Sequence, residues 1–103
     1  MRALSFAAVT VMKVIAEGVR HGFDIMDAAG LPSGTVYPIL RRMEDAELLR
    51  SKWESVTAAR DHLRPPRRYY QITGAGLRAV NEALDRFPGL AGTVATRDAP
   101  ARA

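Results

Sequence analysis

The chain contains no cysteine. Structural disulfides, thiolate-bound zinc and thiol redox chemistry are therefore excluded, and the composition fits a reducing compartment, with the cytoplasm as the expected one. No apolar run is long enough to span a bilayer. The N-terminal run from Leu4 to Ala16 is broken by Lys13 and lacks both a basic leader and a small-residue cleavage site, so it reads as a core helix and no membrane association is expected. No internal repeat is visible. The two histidines, His21 and His62, stand far apart, and no nucleophile elbow, glycine-rich phosphate loop or His-Glu metal spacing occurs. Asp24 with Asp27, and Glu44 with Asp45 and Glu47, fall on exposed helix sides, where solvated charge is a simpler reading than paired acid and base. The expectation is a protein that is not an enzyme and uses no cofactor or metal.

What is present points elsewhere. A length of 103 residues fits one domain, and 48% apolar residues supply a core. A domain this small buries a modest fraction of its surface, a shortage that dimerisation would relieve. Fifteen Lys and Arg against eleven Asp and Glu leave a formal charge of +4, and the excess is nearly all Arg. Arg suits bidentate contact with phosphates and guanine edges better than Lys does, so a polyanion is the natural partner. Ordinary surface charge for solubility is the alternative, and the placement of the charge decides between them. The segment Arg60 to Arg68 holds four Arg and one Asp, the densest positive stretch in the chain.

Ser5 is placed to cap a first helix ending near Glu17, with Gly18 as its left-handed terminus. Phe6, Val9, Val14, Leu4, Val11, Met12 and Ile15 leave only a thin polar stripe at Thr10 and Lys13, so part of this helix is expected to pack against a second subunit. A short second helix spans Phe23 to Ala28, with Phe23, Met26 and Ile25 inward, Asp24 and Asp27 exposed, and Gly30 at its end. After the turn Gly30-Leu31-Pro32-Ser33, Ser33 is expected to cap a third helix reaching Glu47. There Val36, Ile39, Leu40, Met43 and Ala46 form the inner stripe, and Thr35, Tyr37, Pro38, Arg41, Arg42 and Asp45 lie off the core. Leu49, Ser51 and Trp53 then alternate with Arg50, Lys52 and Glu54, which is strand spacing with one protected side, where Trp53 is expected in the core. A second strand at Arg67 to Ile72 makes Ser55 to Pro66 the tip of a β-hairpin. Thr73 caps a last helix with Leu77, Val80, Leu84 and Phe87 on one stripe, stopped by Pro88 and Gly89. The expected fold is mainly α with a small β-hairpin, a winged helix-turn-helix of order α-α-α-β-β-α. Residues 1–88 form the domain with its N- and C-terminal dimerisation helices, and 89–103 form a disordered tail.

Several strings carry a further likeness: Ile15-Ala-Glu-Gly18 with His21-Gly-Phe-Asp-Ile25, then Ser33-Gly-Thr-Val-Tyr-Pro-Ile-Leu-Arg-Arg-Met-Glu44, then Pro66-Arg-Arg-Tyr-Tyr-Gln-Ile-Thr73. Together, from about residue 14 to residue 77, they resemble the PadR family of bacterial regulators. The resemblance implies a homodimeric, DNA-binding transcriptional repressor with the third helix in the major groove. Two departures stand out. The stretch Met26 to Leu31 is shorter than in most relatives, and the last helix, commonly a long dimer arm in the family, is closed here by Pro88. At this length a large C-terminal ligand domain is not expected, and a small-molecule effector stays an open expectation.

Chemistry assigns roles on this frame. Ser33 and Thr35 suit phosphate, Tyr37 a phosphate or a thymine methyl, and Arg41 a guanine or the backbone, with Pro38 and Arg42 beside them. In the wing, Arg60, Arg64 and Arg67 would reach phosphates or the minor groove. Phe6, Val9, Leu77, Val80, Leu84 and Phe87 are the expected dimer interface. The alternatives are specific: Ser33 only a cap, Tyr37 only packing, Arg41 and Arg42 a solvated face, and the wing arginines paired with Asp61 or Glu54. A protein-interaction module that keeps the winged helix but has lost DNA readout is the rival function.

Overall fold

The computed structural model describes residues 4–90. Helix α1 spans Phe6–Ala16, α2 Gly22–Ala29 and α3 Ser33–Asp45; strand β1 spans Leu49–Trp53, α4 Val56–Asp61, β2 Arg68–Ile72 and α5 Gly74–Leu84, with a 3-10 turn at Pro88–Leu90. The two strands pair antiparallel with Leu49 opposite Ile72, Ser51 opposite Tyr70 and Trp53 opposite Arg68. This is the expected winged helix-turn-helix. One element was not expected: the hairpin tip holds the short helix α4. Between Ser55 and Pro66 there is no glycine to make a tight hairpin turn, whereas the Ser55 hydroxyl accepts a hydrogen bond from Ala58 N–H at 3.0 Å and starts a helix with Ala58, Ala59 and Arg60, good helix formers, at its centre.

Helix α1 is the centre of the core. The Ser5 hydroxyl caps it by accepting from Ala8 N–H at 3.1 Å, and α2, α3, α5 and β2 all pack on it. Ala8, Val9, Val11, Met12 and Ile15 are each no more than 1% exposed inside the single chain. The all-round apolar character of α1 is thus explained by its neighbours in the same chain, not by surplus surface left for a second subunit. Phe6 is the exception: it is 53% exposed and meets the Phe87 ring edge-on at 5.3 Å.

The second helix begins one residue earlier than its apolar pattern suggests, and its inward line, at i, i+3, i+4 and i+7, is Gly22, Ile25, Met26 and Ala29. That phase turns Phe23 outward, where it is 74% exposed, correcting the expectation that it points to the core. Gly30 ends the helix in the left-handed conformation, as its position predicts. In α3 the cap position is Pro32, and Ser33 is the first helical residue, making no capping hydrogen bond. Val36, Ile39, Leu40 and Met43 are buried as expected, but Ala46 is exposed, because the helix has already closed at Asp45 and the buried place below Met43 passes to Leu48.

Leu49 is buried and Ser51 half-buried, yet Trp53 is 63% exposed. The expectation of a core Trp fails because the hairpin runs outward past the helices and its end has no layer to cover it. Thr73 caps α5 by accepting from Gly76 N–H at 3.0 Å, and its own hydroxyl donates to the Glu47 carbonyl at 2.9 Å. Helix α5 ends at Leu84, earlier than read, and the 3-10 turn covers Gly89 and Leu90; the rest of the expected tail lies outside the described residues. Among the described residues, no helix is long and apolar enough to cross a membrane.

Candidate nucleic-acid interface

Burial of Val36, Ile39, Leu40 and Met43 fixes which side of α3 faces water: Ser33, Gly34, Tyr37, Pro38, Arg41 and Arg42 are exposed, and Thr35 is half-buried. Arg41 and Arg42 have no side-chain partner among the described residues. The helix continues through Pro38 without interruption. Tyr37 is 46% exposed and leans on the start of α2, where Gly22 admits it: a Cβ at Gly22 would overlap the Tyr37 hydroxyl and come within 2.9 Å of its ring. The helix-turn-helix is therefore closed by the same side chain that it offers to a ligand.

The wing divides its arginines into two kinds. At the end of β1 the Glu54 carboxylate, only 9% exposed, receives both arms of the Arg64 guanidinium, Nη2 at 2.8 Å, together with Tyr69 O–H at 3.2 Å and Arg67 N–H at 3.3 Å. The Arg64 hydrogen bonds, aided by those from Arg67 and Tyr69, bring the Glu54 pKa down to about 2, against a burial cost that acts the other way; Arg64 is held above its ordinary value by the same pair. Assigning Arg64 to DNA is corrected on this geometry. Its bidentate fork is already occupied, and the open alternative of a pair with Glu54 is the one observed.

Arg68 is structural too. Its Nε donates to the Ser51 hydroxyl at 2.9 Å and its Nη2 to Glu44 at 3.2 Å, which ties β2 to β1 and to α3. The same guanidinium sits 5.6 Å from the Trp53 ring centre and 5.9 Å from that of Tyr70, whose hydroxyl pKa is raised by burial. Arg60 on α4 is exposed and has no side-chain partner among the described residues. Arg67 is exposed as well, its Nη1 meeting only the His21 Nε2 at 3.4 Å. His21 stands at the entry to α2, its Nδ1 2.8 Å from Asp24 Oδ2 and its ring edge-on to Tyr69 at 4.8 Å.

Between α2, α3 and the wing lies an open cleft of about 490 Å³, rimmed by Phe23, Tyr37, Trp53 and Arg67. Tyr37 and Arg67 were expected at a binding surface; Phe23 and Trp53 were not. A signal for Phe23 was available: Gly22, Ile25, Met26 and Ala29 make a complete inward line without it. Of the six residues expected at a dimer interface, Val9 and Val80 are fully buried and Leu77 and Leu84 are 8% and 7% exposed in the single chain. They hold α5 on α1, leaving Phe6 and the half-buried Phe87 as the pair with surface to offer.

A family model described as the transcriptional regulator PadR-like family matches residues 11–82. The chain belongs to the PadR-like family. Solved structures of PadR regulators share the fold. One is a PadR-like transcription factor from Bacteroides fragilis, 28% identical, with a TM-score of 0.63 over 81% of each chain. Another is a PadR family regulator from Eggerthella lenta, 27% identical, with a TM-score of 0.57 over 82% of this chain and 77% of that one. A third is a PadR family regulator from Clostridium difficile, 19% identical, with a TM-score of 0.69 over 84% and 91%. No curated protein is similar enough to the chain to count as a match. The PadR-like family consists of transcriptional regulators, so this chain is a DNA-binding regulator and not an enzyme.

Proposed function

We propose that this PadR-like protein is a sequence-specific repressor that binds a palindromic operator as a homodimer in the bacterial cytoplasm. Helix α3 enters the major groove, where Tyr37, Pro38 and Arg41 meet base edges and Ser33, Thr35 and Arg42 meet phosphates, while Arg60 and Arg67 of the wing meet the neighbouring backbone. The observation that carries the reading is the outer face of α3: an exposed Tyr and two exposed arginines without side-chain partners among the described residues, on a helix whose other side is anchored in the core. Two copies would place their recognition helices about 34 Å apart on one side of the duplex, matching one helical turn. The Phe6 and Phe87 pair, at the start of α1 and just after α5, supports self-association there.

Titration of a labelled duplex from the gene's own upstream region at two salt concentrations, with sizing of the free protein, tests the reading. Saturable retention that follows the α3 contacts is the expected result: Arg41→Ala relaxes sequence preference. A monomer that retains no duplex would favour the rival, a winged-helix module that binds protein, and would end the repressor proposal.

A further inference from the structure

The cleft between α2, α3 and the wing has a composition that the core does not require. Phe23, Trp53 and Tyr37 are 74%, 63% and 46% exposed, and all three border this one hollow. Single exposed apolar residues are ordinary, but three large rings around one opening make a patch that marks a contact surface. Trp53 and Tyr37 are backed by neighbours. Arg68, held by Ser51 and Glu44, lies 5.6 Å from the Trp53 ring, and Gly22 provides the space for Tyr37.

Charge and place identify the occupant. Arg67 stands on the wing wall with the His21 ring nitrogen, at 3.4 Å, as its one side-chain partner among the described residues, which leaves its guanidinium open to an anion. The one carboxylate on the rim, Asp24, is turned to His21 Nδ1 at 2.8 Å. The cleft shares Tyr37 with the outer face of α3 and Arg67 with the wing, so it bridges the two parts that address the duplex. With α3 in a major groove and the wing over the neighbouring backbone, as proposed above, the strand between them would run along this gap.

We infer that this cleft seats one sugar-phosphate strand of duplex DNA, the faces of Phe23 and Trp53 lying against deoxyribose rings and Arg67 on a phosphate. The inference rests on the reading of the protein as a DNA binder and adds an apolar, sequence-independent component to it. Rings against sugars raise affinity for every duplex without neutralising a phosphate, so their contribution is insensitive to salt.

Trp53 is the only tryptophan in the chain, so its emission reports on the cleft directly. Duplex binding is followed by anisotropy of a labelled strand, and the access of acrylamide to Trp53 is measured with and without saturating duplex. Bound DNA is expected to reduce quenching to about a third or less, and Trp53→Ala to weaken binding of all duplexes roughly three- to tenfold with the salt slope kept. Trp53→Phe restores most of the loss, and Arg67→Ala lowers the slope by about one per protomer. If duplex binds but leaves Trp53 as open to acrylamide as in the free protein, and Trp53→Ala binds as well as the parent, the cleft is not the seat and DNA binding stands. If the parent protein retains no duplex, both readings fall together.

Discussion

The pairing of Arg64 with Glu54 makes a quantitative claim about salt. Of the five arginines expected to meet DNA, Arg41, Arg42, Arg60 and Arg67 have guanidinium groups with no carboxylate partner among the described residues, whereas Arg64 has one. Each phosphate neutralised contributes about 0.9 to the slope of log K against log salt; with Arg41 on base edges, Arg42, Arg60 and Arg67 give a dimer a slope of about −5.5. Binding should then weaken about 10³-fold between 50 and 200 mM salt. Arg60→Ala removes two contacts per dimer and lowers the slope to about −3.5, which makes the salt-induced loss about tenfold smaller. Arg64→Ala has no phosphate contact to remove. Its effect comes through Glu54, left with only Tyr69 O–H and Arg67 N–H, and through a loosened α4, and it leaves the slope near that of the parent. Anisotropy titrations of both variants across four salt concentrations decide the matter. A slope reduced as much by Arg64→Ala as by Arg60→Ala would mean that the ion pair opens on DNA and that the division of the wing arginines is wrong.

Other consequences are equally specific. Gly76→Ala drives a Cβ into the Leu48 carbonyl oxygen and to 2.9 Å from Ile72 Cγ1, neither of which can move freely, so the clash outweighs the gain in helix propensity; a net loss of about 2 kcal/mol is expected, or about 8–16 °C in Tm by calorimetry. Gly34→Ala, with nothing within 4 Å of the added methyl, leaves Tm unchanged or slightly higher, and an equal drop in both variants would refute the steric argument. Gly22→Ala meets the free end of Tyr37, which can swing away, so stability falls little while sequence preference changes in a panel of operator variants. Because the folded Glu54 carboxyl titrates near 2, below its ordinary value, its stabilisation of the wing is complete at neutral pH and is lost as the pH falls from about 4.5 toward 2. Hydrogen exchange at the Val56–Asp61 amides should show protection, after correction for intrinsic rates, that holds from pH 8 to 5 and declines below; Glu54→Gln should lose it at neutral pH, and protection unchanged down to pH 2.5 would refute the lock.

The helical part of the fold was legible because the signals are local and of one kind. Ser5 and Thr73 cap the helices they precede, Gly30 ends α2, and the stripe Val36, Ile39, Leu40 and Met43 is buried as its spacing requires. The errors come from quantities that spacing does not carry. In α2 the inward line runs through Gly22, whose lack of a side chain hides it from an apolar pattern, and that line leaves Phe23 outside. Strand alternation marks Trp53 as belonging with Leu49, but says nothing about how far along the strand a covering layer extends. The apolar girth of α1 measures how many elements surround it without telling whether they belong to one chain or two, and here α2, α3, α5 and β2 of the same chain suffice.

The same limit governs the site. The face of α3 could be read because periodicity separates its anchored side from its open one, and an Arg left on the open side has no neighbour to claim it. The wing could not be read so well, since its charge density is a composition and its chemistry is a set of pairings. Arg64 and Glu54 are ten residues apart and joined only because Ser55 starts a helix that folds the tip back, which converts the densest cationic stretch into one internal lock and two outward cations, Arg60 and Arg67, with Arg68 drawn into the link to α3. Rigidity is what the lost cation provides: a wing tied to α3 through Arg68 and closed on itself through Glu54 holds Arg67 and Trp53 at a fixed offset from Tyr37 and Arg41. On the proposed reading, a fixed offset would let a salt-dependent contact and a base-reading contact select the same register of the duplex, so the charge that Arg64 withholds would contribute to specificity rather than to affinity.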